Sequence, residues 1–147
     1  MNSLMVGCDF CGIGTGQVDA DLVAFRSANV FVVPTLRQRA NNRGHALVLP
    51  VAHVPSLHDA APELLAEVFD VVARVTRVVP DLYGAFGSTV FQNNSSPEDV
   101  LFHLHVHVVP RFDDDHFAMP DPAVSRLPRD ERLRQADGLG RALSALR

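Results

Sequence analysis

Apolar and polar residues alternate along this chain with two different periods, and each change of period marks the edge of an element. Leu22 to Ser27 and Val30 to Pro34 are β-rich runs separated by Ala28-Asn29, a pattern that predicts the two arms of a hairpin. The polar stretch Arg37 to Gly44 predicts a loop. Ala46-Leu47-Val48-Leu49, ending at Pro50, predicts a short buried strand, and the following loop, Val51 to Asp59, carries His53 and His58. From Pro62 the period lengthens. Leu64, Leu65, Val68, Val71, Val72, Val75 and Val79 mark one face of a helix, with Pro62 suited to its first turn and Pro80 to its stop.

Phe86 to Gln92 then predicts a strand, Asn93 to Pro97 a turn, and Leu101 to Pro110 a further strand pairing antiparallel with the first. Leu133, Ala136, Leu139, Leu143 and Leu146 return to helical spacing, interrupted by Gly138 and Gly140. A hairpin and a meander around one long helix predict an α+β domain on an antiparallel sheet.

Composition narrows the class. With 147 residues, 47% of them hydrophobic, the chain fits a single domain spanning residues 1–147. It lacks an apolar run of membrane-spanning length, and Met1 to Val6 lacks the basic flank and long apolar stretch of a secretory signal, so the expectation is a cytoplasmic protein with no membrane partner. Cys8 and Cys11 are too few for a disulfide scaffold and read as thiols or metal ligands. A net charge of −4 argues against a nucleic-acid partner. Between Leu22 and His58, however, there is no acid, while Arg26, Arg37, Arg39 and Arg43 fall there, a setting that suits a phosphorylated small ligand. All 13 basic residues are arginine, which reads as a compositional habit, so Arg37, Arg39 and Arg43 are taken as solvated loop charges. Asp113-Asp114-Asp115 reads as a solvated turn.

The chemistry concentrates in Phe102-His103-Leu104-His105-Val106-His107-Val108-Val109-Pro110-Arg111. In an extended strand this alternation places three imidazoles on one face and Leu104, Val106 and Val108 on the other. Same-face neighbours lie roughly 7 Å apart, a distance at which several rings can address one phosphate or one metal. Imidazole supplies a lone pair for nucleophilic attack, a proton for a leaving group, or a metal ligand. Just ahead, Gln92-Asn93-Asn94-Ser95-Ser96 offers amide and hydroxyl donors able to hold phosphate oxygens.

These residues resemble the histidine triad (HIT) superfamily, marked by His-x-His-x-His followed by apolar residues. Arg43-Gly44-His45-Ala46-Leu47-Val48-Leu49-Pro50-Val51-Ala52-His53-Val54 is similar to that family's Pro-Gly-His, apolar strand, Pro, x-x-His segment, and Cys8-Asp9-Phe10-Cys11 to the Cys-x-x-Cys of its zinc-binding branch. The resemblance covers about residues 8–111, leaving 112–147 as a C-terminal extension. It implies a sheet of about five antiparallel strands with one long helix and a C-terminal helix, dimerising into a larger continuous sheet. It also implies a nucleotide substrate. His105 would attack the α-phosphorus and form a nucleotidyl-histidine intermediate, and His107 would contact the phosphate or assist the leaving group, with no catalytic cofactor. Asn93 and Asn94 match the phosphate-contacting asparagine, and Gln38 stands beside Arg37 where the family often supplies Asp or Asn to the ribose. Cys8, Cys11, His53 and His103 would hold a structural zinc, a closed Cys₂His₂ set, while His45 would order the catalytic strand, and His58 and His116 would stay exposed and passive.

One departure stands out. Where the family often has Gly-Gln-Ser/Thr ahead of the triad, this chain has Glu98-Asp99-Val100, whose acids would repel a polyphosphate if they faced it. Two other classes therefore stay open: a nucleotide-binding or interaction protein with little turnover, and a metal-dependent hydrolase using the histidine face.

Overall fold

The computed structural model describes residues 7–95, 101–119 and 124–146. Its elements follow the order α1 (Asp9–Gly14), β1 (Phe25–Arg26), β2 (Val30–Pro34), β3 (Arg37–Arg39), β4 (Ala46–Pro50), α2 (Pro62–Tyr83), β5 (Gly87–Phe91), β6 (Val106–Arg111), β7 (Val124–Arg126) and α3 (Arg129–Ser144). Five strands form an antiparallel sheet in the order β1-β2-β4-β6-β5, and β3 pairs with β7 in a separate ribbon. Residues 96–100, which include Glu98-Asp99-Val100, lie outside the described residues.

The period-two pattern sorts the sheet into two faces. Val30 and Val32, Ala46 and Val48, and Val106 and Val108 pack against the valine stripe of α2, joined by Leu139 and Leu143 of α3. Each fully buried valine contributes on the order of 1.5 kcal/mol, so this layer is the main source of cohesion. Phe31, Val33, Leu47 and Leu49 point the other way and pack with Ile13 and Leu22. His107, paired in register with Leu47, belongs to that second face.

Four local expectations change. Leu22 closes a 3₁₀ turn, Ala20–Leu22, and the first hairpin arm shortens to β1. The stretch 37–44 is not wholly loop: Arg37–Arg39 is a strand whose partner, Val124–Arg126, lies too far along the chain for local pattern to reveal. Pro80 does not stop α2, which runs to Tyr83 because Leu82 and Tyr83 pack onto the core and offset the lost backbone donor. Its end is Gly84, left-handed at φ 66°. Finally, Phe102 turns through φ 44°, so the ladder begins at Val106 and not at Leu101. His103 and His105 therefore precede the regular strand. No helix among the described residues is long and apolar enough to cross a membrane.

Candidate active site and cysteine–histidine cluster

The three histidines divide between two neighbouring sites. Leu104 N–H donates to the Val54 carbonyl at 2.6 Å, fastening the triad segment to the loop that carries His53. His103, fully buried, turns Nδ1 toward the N-terminal turn, 3.4 Å from Cys8 Sγ and 3.6 Å from Cys11 Sγ. His53 Nδ1 lies 3.2 Å from Cys11 Sγ, and the four donor atoms all fall within 4.8 Å of one another. Bonds of about 2.3 Å to sulfur and 2.0–2.1 Å to nitrogen give a tetrahedron whose edges are roughly 3.4–3.8 Å, close to the observed contacts. The tautomer agrees. His103 Nε2–H donates to the Pro50 carbonyl at 2.9 Å, which leaves Nδ1 with its lone pair toward the sulfurs. Burial and the neighbouring Cys8 push the Cys11 thiol up to about 11, so it becomes a thiolate at neutral pH only against a cation. Cys8, Cys11, His53 and His103 thus fit a metal ion as a closed four-ligand set.

His105 faces a cavity of about 810 Å³. Its Nδ1–H donates to the His103 carbonyl at 2.6 Å, so Nε2 carries the lone pair, and Phe10 packs against the ring with centroids 5.5 Å apart. His107 lines the same cavity, its ring centroid 4.9 Å from that of His105. It lies flat on Phe91, the residue paired with it across β5 and β6, with ring centroids 4.2 Å apart and planes 8° from parallel. His107 Nδ1 and His45 Nε2 are 2.9 Å apart. Burial, reinforced by neighbouring cations and imidazoles, pulls His45 down to about 3 and His107 down to about 2, so both rings are neutral near pH 7. One hydrogen joins them. His45 Nδ1 is buried without a partner among the described residues, and a proton on Nε2 leaves only a lone pair orphaned there. His45 is then the donor, and His107 presents Nε2–H to the cavity.

Asn93 lines the cavity, but Asn94 does not: its Oδ1 accepts the Leu57 N–H at 2.7 Å and its amide reaches back to Gln92, so it braces two loops. Gln38 is also displaced from the expected role. It is fully buried, donates to the Thr35 carbonyl and to Gln135 Oε1, and accepts from Gly44 N–H, because the β3 alternation that exposes Arg37 turns Gln38 inward. Gly44 is required there: at φ 100°, a Cβ would lie 2.5 Å from the Tyr83 ring. His58 and His116 are exposed, as expected.

Two charges that the sequence reads as solvated are buried. Arg39 is 7% exposed, lines the cavity and lays its guanidinium 4.6 Å from the Phe117 ring centroid and 5.8 Å from that of Phe91. Asp115 is no solvated turn residue: it accepts from Arg111 at 2.7 and 3.0 Å, from Asn42, and from the Phe112 and Phe117 N–H groups, which hold its carboxyl well below the usual range. The four-residue spacing from Arg111 to Asp115 was the only signal available for it.

The family model described as "HIT domain" matches residues 19–114, about two thirds of the chain. The chain belongs to the HIT family. This HIT protein is 34% identical over 89 residues to the asymmetrical bis(5′-nucleosyl)-tetraphosphatase of Schizosaccharomyces pombe, a match covering 60% of this chain and 48% of the other. It is 27% identical over 116 residues to an adenosine 5′-monophosphoramidase of the same yeast, covering 76% and 79%. A zinc-bound histidine triad family protein from Mycobacterium smegmatis superposes with a TM-score of 0.76 at 29% identity over 95% of each chain. The five-stranded antiparallel sheet with its helices is therefore the HIT fold.

Proposed function

We propose that this HIT protein is a nucleotide hydrolase or nucleotidyl transferase that cleaves at the α-phosphorus of a dinucleoside polyphosphate, a nucleoside phosphoramidate or an adenylylated compound. The observation that carries the reading is the 2.6 Å bond from His105 Nδ1–H to the His103 carbonyl, which aims the Nε2 lone pair into the cavity. His105 Nε2 attacks phosphorus, and the bond to the leaving group breaks with its electron pair going to that group. A phosphate leaves as the anion; an amine takes its proton from water. His107 Nε2–H hydrogen-bonds the leaving atom, and Asn93 and Arg39 hold phosphoryl oxygens as charge grows on them. Water then attacks the nucleotidyl-histidine, the pair of the P–N bond returns to Nε2, and the water proton passes to solvent. The two yeast relatives, a tetraphosphatase and a phosphoramidase, support nucleotide hydrolysis in general.

Cys8, Cys11, His53 and His103 would hold a structural zinc, whose charge would keep the thiolates ionised and tie the N-terminal turn to the triad. The zinc-bound mycobacterial neighbour supports this. Because the set is closed and turned away from the cavity, it favours a structural role over the metal-dependent hydrolase reading. A homodimer is part of the same proposal, since β5 leaves one sheet edge open to a second copy.

The decisive experiment is incubation with adenosine and guanosine phosphoramidates and dinucleotides, followed by intact-mass analysis. A nucleotidyl adduct on the wild type that His105→Ala loses, with turnover down on the order of a thousandfold or more, is expected. Turnover retained by His105→Ala overturns the covalent mechanism, and tight binding without turnover in the wild type points to the binding-protein alternative.

A further inference from the structure

The β3–β7 ribbon sets two arginines against each other. Arg37 pairs in register with Arg126, and like charges directly opposite on adjacent strands weaken the pairing. Both line the cavity, and neither has a carboxylate partner among the described residues. A third cation joins them from α3. Arg132 is only 9% exposed and lines the same cavity; among the described residues its one side-chain bond runs from an Nη to the Pro34 carbonyl at 3.3 Å, while its buried Nε has none. Asp19, the carboxylate whose field reaches Arg132, is engaged by Arg129 at 3.0 Å, and Arg129 also holds Asp21. Desolvation accordingly pulls Arg132 below its ordinary pKa. A buried guanidinium in that state is costly unless an anion completes it.

Register locates this group relative to the triad. Val33 pairs with Leu47 and Leu47 with His107, so Pro34, which Arg132 contacts, lies two strand spacings, about 10 Å, from the β6 backbone. Asn93 follows β5, on the opposite side of His107. The wall between the arginines and the triad is apolar, made by Phe10, Ile13, Val33 and Leu47. A substrate with its phosphorus at His105 would lay its nucleoside along that wall and its leaving group toward Asn93. The arginines then meet the nucleoside half. Guanidinium groups donate hydrogen bonds and accept none, so they are poorly suited to bare ribose hydroxyls as donors but well matched to a phosphate.

We infer that Arg37, Arg126 and Arg132 form a second anion subsite that selects nucleotides carrying a phosphate on the ribose in addition to the one at the 5′ position. This rests on the nucleotide reading of the cavity given above.

The test is calorimetric binding of AMP, ADP, adenosine 2′,5′-bisphosphate and adenosine 3′,5′-bisphosphate to the full-length metal-loaded protein at fixed ionic strength. One of the two ribose bisphosphates should bind about tenfold or more tightly than AMP, as expected for a gained charge-assisted contact. That advantage should shrink to less than about threefold in the Arg37→Ser/Arg126→Ser double variant, whose changes lie at exposed positions, and in Arg132→Met if it melts cooperatively. ADP carries the extra phosphate at the other end and controls for charge alone. Equal affinities for AMP and both bisphosphates overturn the inference and leave the hydrolase reading standing. So does an ADP advantage that falls with the arginines, because they would then serve a distal phosphate. Failure of every nucleotide to bind overturns both readings.

Discussion

His45 Nε2 stands 2.9 Å from His107 Nδ1, and this single hydrogen bond decides which proton His107 can offer to the cavity. Under the proposed mechanism His45 acts as a positioning residue, through its bond to His107. His45→Ala should lower kcat about tenfold to a hundredfold with KM little changed, whereas His45→Gln, whose amide can still donate, should recover most of the loss. Steady-state kinetics on a phosphoramidate checks this; equal kcat in the wild type and the alanine variant would remove His45 from the site.

The same pair makes stability depend on pH. Unfolded imidazoles bind protons near 6.5, but in the fold His45 does so only at about 3 and His107 at about 2. Between those values the unfolded chain holds more protons, so stability is greatest above pH 6.5 and falls as the pH is lowered. Each ring adds a slope of up to ~1.4 kcal/mol per pH unit. Denaturant midpoints at pH 7, 6 and 5, at constant metal loading, should show a shallower slope in His45→Gln than in the wild type. Parallel slopes would contradict the buried neutral pair.

Removing the metal ligands should loosen the N-terminal turn before it touches the chemistry. Cys8→Ser/Cys11→Ser and prolonged chelation are each expected to release one zinc per chain by elemental analysis and to lower the melting temperature by several degrees or more. A protein grown with zinc that carries none, or melts unchanged after losing it, would rule out the structural zinc.

Two glycines of α3 should answer oppositely to the same substitution. A Cβ on Gly140 would lie 2.6 Å from the Ala24 carbonyl oxygen, a backbone atom that cannot step aside, while one on Gly138 would meet Leu82 Cδ1 at 3.4 Å, an ordinary contact. Gly140→Ala should destabilise by about 1–3 kcal/mol, and Gly138→Ala should stabilise by up to ~1 kcal/mol as helix propensity prevails. Thermal melts of the two single variants separate these outcomes, and a Gly140→Ala variant as stable as the wild type would show that α3 is not pressed against Ala24.

That pair also shows where the chain was legible before it was folded. The valine stripe of α2 carries its structure in local period, whereas of the alternating histidines only His107 falls in the regular strand that alternation predicts, and the cysteine pair meets His53 and His103 where the family resemblance implied it would. The glycines of α3 read only as interruptions, because the reason for Gly140 is a carbonyl more than a hundred residues away. Gln38 illustrates the same limit. Its side chain belongs to Gln135 of α3, and only the β3–β7 pairing reveals that Arg37, not Gln38, looks into the cavity. Arg39 and Asp115 looked like surface charges because burial is a property of the assembled layers, not of the residue type.

The His103 carbonyl gives the triad a form of insurance. Its imidazole serves the cysteine cluster, but the group that sets the tautomer of His105 is a main-chain oxygen, present whatever side chain occupies position 103. The make-up of the cysteine–histidine cluster and the protonation of His105 can therefore diverge under mutation: a lineage could abandon the cluster, keep this peptide in place, and retain an imidazole with its lone pair at Nε2.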